Sequence, residues 1–144
     1  MINIRNYQSS DYEKVKAILQ ASDMFDVTWD SEANFVSIVE TNHETIQVAE
    51  VDKKIVGIIL IDSHGQDVKF FYRLAVLEEY RGHGVGSALL SAAETIARDM
   101  GAKEVAVFVD AENTIVQRFY TMKGYKTTEK KFICMYKSVD KALA

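Results

Sequence analysis

The chain has 144 residues, of which 48% are hydrophobic and 26% are charged, which is enough for one domain with a substantial core. Its formal net charge of -4 at pH 7 argues against nonspecific binding to nucleic acid or to an anionic membrane as the main activity. A basic partner would suit this charge, and an acidic one is also compatible with it.

Cysteine and histidine usage indicates neither a disulfide framework nor a metal site. Cys134 stands alone in an apolar run and is predicted to be a small core residue. The histidines His43, His64 and His83 are scattered, with no cysteine at zinc-ligand spacing. No signal-peptide core opens the sequence and no apolar run has the length of a membrane span, so a cytoplasmic protein is expected.

The opening of the chain predicts a strand and then a helix. Ile2 and Ile4 alternate with polar residues, as in a strand with one buried face. Ser10 and Glu13 have the spacing of a capping box, which predicts a helix running to about Ser22.

A second helix is predicted after a loop that carries three apolar residues. Asp30 is its predicted N-cap, and it is expected to end near Asn42. Its apolar face consists of Phe35, Ile38 and Val39, and the apolar residues of the loop are Met24, Phe25 and Trp29.

The middle of the chain predicts three strands with short polar links, at 45–51, 55–62 and 68–77. Short links imply antiparallel neighbours, because parallel pairing needs a long crossover. A helix at 84–100, ended by Gly101, then leads to a strand at 104–109, which the crossover places parallel to the strand before it.

The remaining chain predicts a short helix and a closing sheet element. Asp110 is the predicted cap of the helix, which Gly124 ends. Residues 126–139 predict one or two closing strands, and 141–144 a frayed end. No repeat or linker interrupts the sequence, so residues 1–144 are expected to form a single domain.

A glycine-rich stretch at 80–87 lies between the third predicted strand and the long helix. Glycines permit positive φ and close approach of a ligand, and the first amides of a helix attract anions. The stretch therefore predicts a phosphate site, with a plain connector as the alternative. A nucleotide P-loop is disfavoured because no lysine follows the glycines, and a dinucleotide loop because Ser87 stands where glycine or alanine is needed.

Two signatures resemble the GNAT superfamily of N-acetyltransferases. The first is Arg/Gln-x-x-Gly-x-Gly/Ala, matched by Arg81, Gly84 and Gly86 directly after a strand. The second is an asparagine followed seven residues later by a tyrosine and then by Gly-Tyr, matched by Asn113, Tyr120, Gly124 and Tyr125. Glu78 departs from the pattern, since it stands where the family commonly has proline.

The resemblance implies an α/β (α+β) fold, a mixed and mostly antiparallel sheet flanked by about four helices. It also implies acetyl-CoA as co-substrate, without a metal. The implied cofactor contacts are the backbone of Leu74, Ala75 and Val76 along the pantetheine arm, the residues Arg81, Gly82, His83, Gly84, Val85, Gly86 and Ser87 at the pyrophosphate, and Asn113 and Tyr120 beyond it.

The implied reaction is attack of an amine on the thioester, with Tyr120 as the general acid that protonates the departing thiolate. A phenol pKa near 10 exceeds a thiol pKa near 8.5, so local geometry must assist this transfer. An aromatic residue packed at the end of its helix is the alternative role. Glu78, Glu79 and Asp110 are the candidate general bases, against a solvated turn or a helix cap.

The acceptor is not identified by the sequence. The family implies that the loop before the second helix shapes the acceptor pocket, while the plainer interpretation is that its apolar residues cover the core. Arg73 is a candidate partner for an acceptor carboxylate, or a surface residue.

The sequence thus predicts an acetyl-CoA dependent N-acetyltransferase acting on a small-molecule or protein amine. The alternative is a non-catalytic acyl-CoA-binding module with a regulatory or interaction role. No nucleic-acid or membrane partner is expected, and the oligomeric state is open, a homodimer included.

Overall fold

The computed structural model of the protein describes residues 1–140, so the predicted frayed end at 141–144 lies outside the described residues. Two compact units make up the chain, residues 1–108 and residues from 109 onward. The first unit contains β1 (Ile2–Asn6), α1 (Tyr12–Ala21), α2 (Glu32–Thr41), β2 (Ile46–Val51), β3 (Lys54–Ile61), β4 (Val68–Val76), α3 (Val85–Asp99) and β5 (Glu104–Val107). The second contains α4 (Thr114–Met122).

The five strands form one sheet in the order β1-β2-β3-β4-β5. The pairs β1–β2, β2–β3 and β3–β4 are antiparallel, and β4–β5 is parallel. The β2–β3 link is a tight turn in which Asp52 and Lys53 both have positive φ, as a twisted two-residue hairpin requires. The predicted mixed, mostly antiparallel sheet with about four helices is confirmed.

Helices cover both faces of the sheet. On one face, α1 and α2 pack Val15, Ile18 and Phe35 against Val48 and Ile58 in a fully buried cluster. On the other face α3 approaches the sheet closely at Gly57, where a Cβ atom would lie 2.9 Å from Leu89 Cδ1. Side chains of neighbouring strand residues point to opposite faces, so Gly57 faces α3 and Ile58 faces α1 and α2.

Both predicted caps of the first two helices are wrong. The N-cap of α1 is Asp11 rather than Ser10, and its side chain makes no capping bond to the helix. The Asp11 carboxylate instead accepts from the Gln8 N–H at 2.8 Å, across the 3-10 turn Ser9–Asp11 that precedes α1. At the start of α2 the N-cap is Ser31, whose Oγ accepts from the Asn34 N–H at 3.1 Å. Asp30 is not available for capping because its carboxylate accepts hydrogen bonds from other groups.

The closing strands predicted at 126–139 are also wrong. The described residues 126–140 contain no strand, and Cys134, predicted in the core, is exposed. Ile133, Met135 and Tyr136 are at least 83% exposed. A strand is specified when one face is buried, and this segment has apolar side chains on both faces, so its alternation does not fix a structure.

Candidate active site

One edge of β4 is open next to the glycine-rich turn. The pairing of β4 with β5 covers only Val68–Phe71 and Glu104–Val107, although β4 continues to Val76. Its other edge pairs with β3 up to Val76, which lies opposite Gly57. Within residues 1–140 no strand pairs with the β5 side of residues 72–76, so backbone groups of this segment are available to a ligand.

A bulge shapes this open segment. Ile58 lies opposite Ala75 and Leu60 lies opposite Tyr72, so two residues of β4, Arg73 and Leu74, stand against the single residue between them on β3. Arg73 has φ +58°, a left-handed conformation that is unfavourable for a residue with a Cβ atom.

An ion pair holds the bulge. Arg73 Nε donates to both carboxylate oxygens of Asp30, at 3.1 and 3.2 Å, and Asp30 is only 2% exposed. The same carboxylate accepts from the Asp26 N–H at 2.8 Å, while the Asp30 carbonyl oxygen accepts from the Tyr12 hydroxyl at 2.7 Å. The loop before α2 is therefore fastened to β4 beside the open edge.

The glycine-rich turn ends in the free amides of a helix. Gly82 and Gly84 have φ +77° and +87°, and apart from the adjoining residues no atom would lie within 4 Å of a Cβ atom at either position. Gly84 is the N-cap of α3, and the first helical bond runs from the Ala88 N–H to the Gly84 carbonyl oxygen at 3.0 Å. The N–H groups of the first three helical residues, Val85, Gly86 and Ser87, consequently have no acceptor inside the helix. Oriented donors at the positive end of a helix form an anion site.

Arg81 and His83 lie exposed on the same turn. Arg81 Nε donates to the Val76 carbonyl oxygen at 2.9 Å, and His83 Nδ1 lies 2.9 Å from the Arg81 carbonyl oxygen. The turn is thereby tied to the end of the open β4 segment. A ligand that pairs with the Val76 carbonyl must share it with Arg81 or displace the Arg81 side chain.

The turn between β4 and the glycines forms without proline. Residues Glu78–Tyr80 make one turn of 3-10 helix, closed by bonds from the Tyr80 N–H to Leu77 O and from the Arg81 N–H to Glu78 O. Glu78 and Glu79 are both exposed, which agrees with a solvated turn and leaves them accessible to water.

In the second unit, Asn113 rather than Asp110 is the N-cap of α4. Asn113 Oδ1 accepts from the Val116 N–H at 3.1 Å, whereas Asp110 Oδ1 accepts from the Glu112 N–H at 2.8 Å in the turn before the helix. The predicted cap at Asp110 is wrong because that carboxylate folds back on its own loop. Gly124, at φ +92°, follows the end of α4 as predicted.

Tyr120 is buried within an aromatic group of the second unit. Its ring lies 5.1 Å from that of Phe119 and 5.3 Å from that of Tyr125, both edge to face. The residue is 8% exposed, and burial raises the pKa of its hydroxyl to about 12. The phenol is accordingly neutral at pH 7 and carries a proton.

The structure brings ten predicted site residues together in the first unit. Leu74, Ala75 and Val76 lie on the open β4 segment, Arg81, Gly82, His83 and Gly84 form the turn, and Val85, Gly86 and Ser87 open α3. Asn113 and Tyr120 lie on the second unit. The role of Asp30 was missed, since an aspartate before a helix has the sequence signal of a cap.

A shallow cleft of about 330 Å³ lies on another side of the turn, bounded by Tyr80, His83 and Val85 together with residues of β1 and β2. None of its lining residues belongs to β4. Among residues 1–140 no group of three or more His, Cys, Asp or Glu side chains is arranged to hold a metal ion. None of the described helices is long and apolar enough to cross a membrane.

Comparison with known proteins identifies the fold and the family of the chain. Residues 3–125 match the acetyltransferase (GNAT) family. The uncharacterized N-acetyltransferase YycN of Bacillus subtilis is 30% identical over 95 residues, which are 63% of this chain and 61% of that protein. The match thus spans about three fifths of the length of this curated relative.

Solved structures show the same architecture. Ard1 from Thermoplasma volcanium superposes with a TM-score of 0.76 at 27% identity, covering 88% of this chain and 84% of that one. The PaiA N-acetyltransferase of Thermoplasma acidophilum, solved in complex with coenzyme A, superposes with a TM-score of 0.78 at 19% identity, covering 91% and 93%. At that identity the second match supports the fold alone.

Proposed function

Since the chain belongs to the GNAT family of acetyltransferases, we propose that it transfers the acetyl group of acetyl-CoA to a primary amine of a small molecule or protein. The proposal is carried by one observation: the open β4 segment leads, through the glycine-rich turn, to the three amides at the start of α3 that have no acceptor inside the helix. An extended ligand with an amide-bearing arm and a pyrophosphate matches both features. The family match spans residues of both units, which supports one functional domain over residues 1–144.

In the proposed complex the pyrophosphate accepts hydrogen bonds from the N–H groups of residues 83–87, flanked by Arg81. The pantetheine arm pairs with main-chain groups of Leu74 and Val76, as an added strand would. Gly82 and Gly84 keep the approach to the turn free of side chains. Asn113 contacts the arm through its side-chain amide, whose oxygen already caps α4.

The proposed reaction is direct transfer. The neutral amine nitrogen forms a bond to the thioester carbon, a backbone N–H at residues 74–76 stabilises the oxyanion, and the carbon–sulfur bond then breaks. The amine proton leaves to water, with Glu78, Glu79 or Asp110 as candidate bases. The thiolate takes its proton from Tyr120 in the proposed general-acid step.

The raised pKa of Tyr120 bears on that step. A hydroxyl with a pKa of about 12 is a weaker acid than a thiol near 8.5, so full transfer to a free thiolate is uphill. The transfer must therefore begin from a hydrogen bond that the Tyr120 hydroxyl donates to the sulfur as negative charge develops there. The packing of Tyr120 against Phe119 and Tyr125 is the observation that fits the alternative, an acyl-CoA-binding module without turnover in which Tyr120 has a structural role.

A thiol-release assay with a panel of primary amines separates the two functions. The enzyme is expected to release coenzyme A in proportion to the amine present and to yield the acetylated amine by mass spectrometry. Tight acetyl-CoA binding with no amine-dependent thiol release across small-molecule and peptide amines would leave the non-catalytic module as the function.

A further inference from the structure

Three aromatic rings form a stack on the sheet beside the open β4 segment. Phe70 lies nearly parallel to Phe108, with ring centroids 5.2 Å apart and an interplanar angle of 8°, and nearly parallel to Tyr72, at 6.3 Å and 19°. Phe108 is 74% exposed and Tyr72 is 39% exposed. We call these three side chains the ring stack. Its exposed faces offer surface to an apolar chain or a cation.

The ring stack lies on the face of the sheet that carries α1 and α2. Tyr72 is opposite Leu60, which packs against the core cluster of that face. Arg73, the next residue, reaches the loop before α2 through its ion pair with Asp30. The stack therefore lies beside both the open edge and the loop.

The carboxylate of Asp62 lies near the ring stack. Asp62 bonds through its N–H to the Phe70 carbonyl oxygen at 2.8 Å, and its carboxylate is close enough to raise the pKa of Tyr72, whose burial contributes more. Burial alone would raise the pKa of Asp62, but hydrogen bonds from His64 hold it below its usual range. Asp62 is therefore an anion at neutral pH.

The segment that joins α1 to α2, together with α2 itself, is acidic in composition. From residue 17 to residue 44 the sequence has Asp or Glu at positions 23, 26, 30, 32, 40 and 44, and it has neither Lys nor Arg. Two cations contact this loop: Arg73 pairs with Asp30, and Lys16 Nζ lies 5.5 Å from the centroid of the Phe25 ring. Near Asp62 the Lys69 ammonium donates to the carbonyl oxygens of Ser63 and Gly65. The Asp62 carboxylate and the acidic segment thus favour a cationic ligand beside the ring stack.

We propose that the acceptor is a linear aliphatic diamine or polyamine, whose non-reacting ammonium binds between Asp62 and the ring stack. This inference rests on the proposed acetyl transfer. The reacting nitrogen approaches the open edge at Leu74, methylene groups cover the rings, and the second nitrogen meets the carboxylate. The apolar methylene chain of such an amine thus matches the ring stack, and its ammonium group matches the Asp62 carboxylate.

Two acceptors that differ only in the second nitrogen test the proposal. Pentylamine and 1,5-diaminopentane, with spermidine as a longer probe, are compared by kcat/KM in the thiol-release assay. The protein is expected to prefer the diamine at least tenfold at low salt, and less so at high salt, because screening weakens exposed charge pairs. Asp62→Asn and Phe108→Leu are each expected to reduce that preference several fold.

Asp52→Asn is the matched control. It removes one carboxylate at the opposite end of β3, and asparagine tolerates the left-handed φ of +50° there. The control should retain the wild-type preference. Equal kcat/KM for the two acceptors, or a preference that survives Asp62→Asn and Phe108→Leu, would overturn the inference and leave acetyl transfer intact. Failure of every amine to release thiol would instead overturn the proposed function and, with it, this inference.

Discussion

Burial and hydrogen bonding, rather than residue type alone, decide what single residues do in this protein. Asp30 and Asp110 both precede helices and both have the sequence signal of an N-cap, yet neither caps. Asp30 binds Arg73, and Asp110 accepts a hydrogen bond from the Glu112 N–H in its own loop. Tyr120, the proposed general acid, is buried, and burial raises its pKa to about 12.

Tyr120→Phe tests the general-acid role. Positioned acid catalysis contributes roughly 10²- to 10⁴-fold, so kcat is expected to fall at least about 100-fold. The acetyl-CoA dissociation constant should stay near wild type, because the ring packing is retained. Tyr136→Phe, at a residue that is 94% exposed, is the control. An unchanged kcat in Tyr120→Phe would remove the assignment.

Arg73→Gly and Arg73→Ala separate the ion pair from the backbone strain. Both leave the buried Asp30 carboxylate without its cation and should lower the free energy of unfolding by about 2 kcal/mol or more. Alanine also keeps the left-handed strain, which glycine relieves, so Arg73→Ala is expected to be less stable by about 1 kcal/mol. Urea denaturation measures both values. Equal stability of the two variants would show that the φ of +58° carries no strain.

At the scale of elements, hydrophobic patterning predicted the strands and helices of the first unit well, because each buries one face. The β4 bulge was not predicted, since it depends on how β3 and β4 pair across the sheet. The closing strands at 126–139 were predicted from alternation alone and are wrong, because no buried face selects them. The start of α1 was misassigned because a 3-10 turn at Ser9–Asp11 precedes the helix and makes Asp11 its N-cap.

The opening of α1 gives a pH prediction. Burial alone would raise the pKa of Asp11, but hydrogen bonds from Arg5 at 2.8 and 3.0 Å and from the Gln8 N–H hold it below its usual range. A carboxyl whose pKa is lowered on folding stabilises the protein above its unfolded pKa near 3.9, and this stabilisation is lost as the pH falls through the folded value.

Asp11→Asn should therefore lower the free energy of unfolding by roughly 1–3 kcal/mol at pH 7. The difference from wild type should shrink steadily as the pH falls below about 4. Thermal unfolding across pH 2 to 7 measures this. A difference that is the same at both ends of that range would show that the charge of Asp11 does not stabilise the fold.

At the scale of the molecule, the family and the mixed sheet were predicted from the sequence and are confirmed. The glycine turn was predictable because positive φ and a helix start both have sequence signals. The open β4 edge was not, since it depends on where the β4–β5 pairing stops. The ring stack was not predicted either, because its members meet only after β5 pairs with β4.

The proposed acetyl-CoA site is formed by the amides at the start of α3, which a ligand reaches across Gly84. Calorimetric titration of acetyl-CoA into the wild type and Gly84→Glu tests it most directly, because glutamate adds a negative charge where the pyrophosphate is proposed to bind. Gly101→Glu is the matched control, with a similar φ of +94° at the other end of the same helix. The predicted result is micromolar binding of acetyl-CoA by the wild type and by Gly101→Glu, and an affinity at least tenfold lower in Gly84→Glu. Absence of binding in the wild type, or equal binding in all three proteins, would contradict it.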